Sequence, residues 1–317
     1  MFRKISRWSL LVLAIIAISP ATSKADIMDV DVSGVAAPYQ SYFLGAEAFW
    51  ESRIIGYSKS LPRILRNQLT KLQITATTAD IDGSGGVLGQ AGPTDVVTYR
   101  STRPAKNYAV ARRSMMQFDN ADLADMLANG SLMDVIKHEM AHAMGLGSLW
   151  SQNDLLGTTR QGVTQYIGKY GLRAYRKESG NAVAPFVPID QTGGPGTALS
   201  HWDLFDPFFN QPNLNRSELM IGYVDGSIDG TPDGPDRKFV SETTWGSFAD
   251  LGYAVKGINE GFVDKTGGGS RPSWPKWSGP QRPIFIRGGA VPEPTTAGVL
   301  AIFAVGGLGL VRRRRHS

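Results

Sequence analysis

The chain has 317 residues, no cysteine and a formal net charge of +5, with a calculated pI of about 9.3. Without cysteine, no disulfide can stabilise it, so its stability must come from the core and from any bound ions. The positive balance sits at the ends: residues 26–290 carry 25 basic and 27 acidic side chains, a net near −2, and no basic patch there supports a nucleic-acid partner.

Arg3, Lys4 and Arg7 precede an apolar run from Trp8 to Ile18, then Pro20 and the small-residue site Ser23-Lys24-Ala25. This order predicts a secretory signal peptide over residues 1–25 with Asp26 as the mature start. The alternative, a membrane anchor, needs about 20 apolar residues, and the run stops short of that.

Phe43, Ala46, Trp50 and Ile54 follow Tyr39 at steps of three and four, which predicts an amphipathic helix packed on a sheet. Leu72, Ile74 and Ala76 alternate with polar residues as a half-buried strand does. The Gly-rich stretch Asp82 to Gly92 reads as a loop, and Ser114 to Phe118 as a short strand. Asn120 is placed to cap a short helix through Leu127 that Gly130 ends. Ser131 with Asp134 forms a variant capping box for the next helix, through Val135, Ile136, Met140 and Ala143 to Gly145. Residues 147–200 read as an insertion with one helix around Thr164 to Arg176, and a last helix is expected from Glu242 to Leu251. After Lys265 the chain turns to Gly, Pro, Ser and Trp without periodicity, a linker at residues 269–290.

The chemistry lies in His138-Glu139-Met140-Ala141-His142. Residues four apart share a helix face, so both imidazoles can reach one metal ion while Glu139 sits beside it as a general base. The pentapeptide alone is moderately specific. Gly145, three positions on, supports the left-handed turn that would let the chain leave the helix and bring in a third ligand. A catalytic zinc site takes three protein ligands and keeps one position open. Residues 26–290 hold three histidines, and His201 is the expected third ligand. Glu178 and Asp154 are weaker alternatives that would leave His201 without a role. Met220, in Glu218-Leu219-Met220-Ile221-Gly222-Tyr223, is either an apolar floor beneath the imidazoles or an ordinary core methionine.

His138 to Gly145, a third histidine after a long insertion, and Glu-Leu-Met-x-Gly-Tyr resemble the metzincin clan of zinc metalloproteases and, within it, the leishmanolysin family. The distance from His142 to His201, 59 positions, is the leishmanolysin-like trait. The similarity runs from about Ser114 to Tyr253, including the Ser241 to Tyr253 stretch, and is loose over 26–110. It implies a metalloprotease domain over residues 26–268, α+β in class, with a mixed twisted sheet, an active-site helix and a smaller C-terminal lobe after that helix. It also implies Zn2+ on His138, His142 and His201, Glu139 as base, Met220 in a Met-turn and a polypeptide substrate. The family's eukaryotic members are rich in disulfides and this chain has none; a cysteine switch is likewise excluded. Tyr223 stands three positions after Met220, not the two at which some metzincins place an extra tyrosine ligand, so it has either a catalytic or a packing role. Ser114 to Phe118 is either the rim strand that pairs with an extended substrate or an ordinary edge strand. Asp225, Asp229, Asp233 and Asp236 form either a Ca2+ loop or a solvated turn.

At the C-terminus, Val291-Pro292-Glu293-Pro294, an apolar stretch from Ala297 to Val311 and Arg312 to Arg315 resemble the PEP-CTERM sorting tail of Gram-negative bacteria. That resemblance implies export across the inner membrane, transient association with it through a short transmembrane helix, an exosortase-type processing enzyme as partner, and an envelope, surface or extracellular destination. A plain tail anchor is the other reading of the same stretch. Three functions fit: an exported zinc endopeptidase, a noncatalytic zinc-containing surface or matrix binding protein, and a zinc hydrolase acting on a non-protein amide. The free carboxylate of Glu139 favours catalysis over binding.

Overall fold

The computed structural model describes residues 27–192, 196–211, 214, 216–222 and 238–260, together with the backbone of 308–311. The signal peptide, Tyr223, Asp225, Asp229, Asp233, Asp236, the linker 269–290 and most of the sorting tail lie outside these residues. Among the described residues the protein is mixed α+β, with a principal sheet and six α-helices.

Strand β1 (Met28–Gly34) leads into α1 (Ala37–Glu51), with a proline in its first turn and Phe43, Ala46 and Trp50 fully buried. Burying one such side chain as Phe43 contributes about 1.5–3 kcal/mol. Ile54, expected on the next turn of this helix, instead opens β2 (Ile54–Tyr57). Ile54-Ile55 is a β-branched pair, and the strand finds an antiparallel partner far along the chain in Tyr253–Val255. A one-turn helix, α2 (Arg63–Arg66), precedes β3 (Leu72–Ala79), where Leu72, Ile74 and Ala76 face the core.

The segment from Asp82 to Gly92 departs from expectation. Only its first part turns; from Val87 the chain is strand β4 (Val87–Thr102), hairpinned to β5 (Ala105–Asp119). The turn before β4 is held by Asp119, whose Oδ2 accepts the N–H groups of Ile81, Asp82 and Gly83 at 2.8–3.2 Å while Oδ1 accepts that of Ala121 at 2.9 Å. Burial raises the Asp119 carboxyl, but these four donors outweigh it and hold the group below its usual value.

The first four strands of the sheet are ordered β1-β3-β5-β4: β1, β3 and β5 run parallel, β4 runs antiparallel to β5, and Leu308–Val311 adds a fifth strand outside β4. Ser114 to Phe118 therefore lies in an inner strand; the outer edge belongs to Leu308–Val311 where it covers Val87–Ala91 and to β4 beyond that pairing. Pro93, which cannot donate to a ladder, sits within β4 beside a bulge, a position edge strands tolerate. Leu308–Val311, expected to end a transmembrane helix, forms a short strand on β4, and among the described residues no helix is long and apolar enough to cross a membrane.

After β5, α3 (Leu123–Asn129) ends at left-handed Gly130, but Asn120 does not cap it; its side-chain amide donates to Asp80. Helix α4 (Leu132–Ala143) carries the histidine pair. Ser131 occupies its N-cap position without a side-chain hydrogen bond, and Asp134 pairs with Lys137 instead. Helix α1 packs on α4, and the indole N–H of Trp50 donates to the Lys137 carbonyl at 3.1 Å.

Beyond α4 come β6 (Leu156–Thr158), β7 (Thr164–Tyr166), α5 (Lys169–Glu178), the short strands β8 (Asn210–Gln211), β9 (Arg216–Glu218) and β10 (Lys238–Phe239), then α6 (Glu242–Asp250) and β11 (Tyr253–Val255). The helix expected at Thr164 starts at Lys169, because residues 164–166 pair with β6. One hydrophobic cluster runs from Ile27 to Val255, so the sheet and the C-terminal elements share a core.

Candidate metal centre

His138 and His142 lie one turn apart on α4 and are buried among core side chains. The helix stops because Met144 caps it and Gly145 adopts φ +107°, where the Leu146 N–H donates to the Ala141 carbonyl and the Gly145 N–H to that of His142. The turn sends the Leu146 carbonyl back toward the helix, where it accepts the Nδ1–H of His142 at 2.8 Å.

His201 arrives from the far side of the insertion. Its backbone carbonyl accepts the Asp190 N–H at 2.9 Å, the Trp202 N–H donates to Met220 at 3.0 Å, and its Nδ1–H donates to Thr197 at 2.9 Å. Trp202 anchors the segment in an aromatic stack, 4.9 Å from Trp150 and 5.4 Å from Phe209 between ring centres. Leu199, two residues before His201, is held at φ +65°, a conformation that costs a non-glycine residue about 1–3 kcal/mol and tends to occur where a site dictates it.

A second glycine makes the junction possible. Gly147 sits at φ +73°, and a Cβ there would lie 2.2 Å from the Ser200 carbonyl oxygen, so the chain after α4 touches the chain before His201 directly. Gly147→Ala is expected to destabilise the protein by roughly 3 kcal/mol and to weaken metal binding, because the backbone beside His201 must retreat. Urea unfolding and a zinc titration check both effects.

The three Nε2 atoms form a triangle with edges of 3.0 Å. Each Nδ1 faces a backbone carbonyl: Leu219 for His138 at 2.7 Å, Leu146 for His142 and Thr197 for His201. A carbonyl only accepts, so each Nδ1 carries the proton and each neutral ring points an Nε2 lone pair at the same point. These contacts are therefore not hydrogen bonds but three converging acceptors, an arrangement that a cation stabilises. An ion held by imidazoles at about 2.0–2.1 Å in tetrahedral geometry spaces its nitrogens about 3.3 Å apart, and the observed edges fit that size. Burial lowers the pKa of His138 well below its usual value, reinforced by His142 and His201; burial, then His201, does the same for His142; and burial brings His201 to about 4. The rings are therefore in the ligand form at neutral pH.

Glu139 is fully buried, and neither carboxylate oxygen has a hydrogen-bond partner among the described residues. Burial raises its pKa well above the usual value. The inner end of β4 passes over it, where a Cβ on Gly89 would stand 3.1 Å from Glu139 Cγ.

Leu219 and Met220 form the turn that supports His138, with Met220 fully buried. Glu218 fastens that turn. Its Oε1 accepts from Thr244 Oγ1 at 2.6 Å and from the N–H and Oγ of Ser241 at 3.1 Å, and its Oε2 accepts the Met220 N–H. Burial pushes the Glu218 carboxyl up to about 7 against these donors. Between about pH 4.5 and 7 the folded protein then holds a proton that the unfolded chain has lost, so this group's contribution to stability falls as pH rises. In metal-free protein, the stability of wild type relative to Glu218→Gln is expected to drop by on the order of 3 kcal/mol from pH 5 to pH 8, measured by urea unfolding.

The weaker third-ligand candidates lie elsewhere. Asp154 accepts the backbone and side-chain N–H groups of Asn107 at 2.8 and 2.9 Å, pinning the β4–β5 hairpin. Glu178 accepts the N–H groups of Glu242 and Thr243 at 2.8 and 3.0 Å, capping α6. Sequence reasoning missed Gly147, Gly89 and the carboxylate role of Glu218; the Gly145-Leu146-Gly147 spacing was the one available signal.

The described residues thus define an α+β protein with a buried three-histidine centre that can hold a metal ion. Residues 290–315 match the PEP-CTERM protein-sorting motif, which indicates export and sorting to the cell envelope or surface in Gram-negative bacteria and recognition by an exosortase-type enzyme. No curated protein matches the chain.

Proposed function

We propose that the protein is an exported zinc-dependent endopeptidase with a metzincin-type, leishmanolysin-like catalytic domain. The observation that carries this reading is the Nε2 triangle of His138, His142 and His201 with the carboxylate of Glu139, which has no hydrogen-bond partner among the described residues, next to it in sequence. The mixed sheet, the helix bearing the histidine pair and the Met220 turn below His138 support the same reading.

His138, His142 and His201 would hold the metal, and their carbonyl-bonded Nδ1–H groups fix ring orientation and basicity. When bound, zinc lowers the pKa of water and polarises a carbonyl. Glu139 takes the proton from the attacking water and returns it to the leaving amine; its raised affinity for protons suits that shuttle. With Val87–Ala91 free of Leu308–Val311, the outer side of β4 would offer main-chain groups to an extended peptide and position the substrate by strand addition.

The test uses a chain ending near residue 286, which retains the whole hydrophobic cluster. It is expected to bind one zinc ion and to cleave casein. Folded, zinc-loaded protein that is inert on casein and diverse peptides would overturn the reading in favour of a binding role.

A further inference from the structure

The edge of β4 is occupied by the protein's own C-terminus. Leu308–Val311 pairs antiparallel with it, Leu308 opposite Ala91, Gly309 opposite Gln90, Leu310 opposite Gly89 and Val311 opposite Val87. Gly89 is the residue that passes over Glu139, and the added strand also approaches α4. The pairing ends before Pro93, where the edge can no longer continue a regular ladder.

We propose that the Val87–Ala91 edge is a strand-accepting surface whose occupant, while the sorting tail is attached and outside a bilayer, is Leu308–Val311. The tail segment suits this use. Gly306, Gly307 and Gly309 each disfavour a helix in water by about 1 kcal/mol, whereas a bilayer, where unpaired backbone groups are costly, demands the helix. Water and membrane therefore select different partners for one segment. The 47 residues from 261 to 307 have contour enough, about 150 Å when extended, to reach the edge. Attachment raises the effective concentration of a short strand that would bind weakly on its own. The segment takes the same main-chain groups that an extended substrate would use. Release of the segment from the edge, by its entry into a bilayer or by its removal, thus uncovers the cleft, and this consequence rests on the endopeptidase reading, while the pairing itself does not.

The test places a site for a sequence-specific protease between Ala290 and Val291 of the full chain and follows it without lipid or detergent. After the cut and removal of the tail, amide hydrogen exchange at residues 87–91 is expected to rise about tenfold, and casein cleavage with it. The uncut double variant Gly309→Pro, Leu310→Pro should show the same rise, because proline removes the ladder donors. Unchanged exchange in both would overturn the surface. Faster exchange with equal cleavage before and after the cut would overturn the occlusion. Faster exchange with no cleavage by any zinc-loaded form would leave the pairing standing and defeat the endopeptidase reading instead.

Discussion

Glu139→Gln is expected to leave zinc content unchanged and to lower kcat/KM on peptide substrates by about 10²–10⁴-fold, the usual contribution of a positioned general base. Glutamine keeps the shape and the burial but cannot accept the proton. The second expected result is that the variant's melting temperature does not fall. Glu139 has no hydrogen-bond partner among the described residues and is fully buried, so its carboxylate costs folding energy that no contact there returns. A residue kept for structure would behave the other way: loss of stability with activity intact. Zinc analysis, casein cleavage and thermal unfolding of the pair separate the two roles, and cleavage at the wild-type rate by Glu139→Gln would remove it from the mechanism.

His201→Ala is expected to weaken zinc binding by at least about 100-fold and to abolish cleavage. Two ligands on one helix remain, but a pair leaves the ion without the third donor that closes the site. Stability supplies an independent readout. An ion present at a thousandfold above its dissociation constant stabilises the wild type by about 4 kcal/mol, so a chelator should lower its melting temperature markedly and that of the variant very little. The backbone around position 201 should survive the substitution, because Trp202 holds it through Met220, Phe209 and Trp150. Full zinc affinity in His201→Ala would place the metal somewhere other than this triangle.

Metal affinity and edge pairing report on different parts of the molecule. The histidine triangle is set by α4, the Gly145 turn and the Thr197 carbonyl, whereas the cleft edge is set by the β4–β5 hairpin and the Asp119 turn. Ala substitutions at His201 and Pro substitutions at Gly309 and Leu310 should therefore act independently on zinc content and on exchange at residues 87–91.

What the sequence determined by itself was local. Three-and-four spacing marked α1, flanking signals at Ser131 and Gly145 marked α4, the alternation at Leu72, Ile74 and Ala76 marked β3, and His138 and His142 shared a face because four residues nearly complete a helical turn. Gly130 and Gly145 were readable because a left-handed residue at a helix end is a local requirement. Tertiary structure decided the rest. Val87–Gly92 looks like a loop because its glycines lack side chains to show a period, yet pairing with β5 makes it a strand and the need to pass over Glu139 explains Gly89. Which strand lies at the edge, and that Ser114 to Phe118 lies inside, depends on pairings between distant segments. The meeting of His201 with a helix 59 positions earlier is likewise fixed by contacts that no local window contains: Gly147 against Ser200, Trp202 in its aromatic stack, and Glu218 tying the Met220 turn to α6. Periodicity reports how one element meets the core; it carries no record of which distant elements close around the same point.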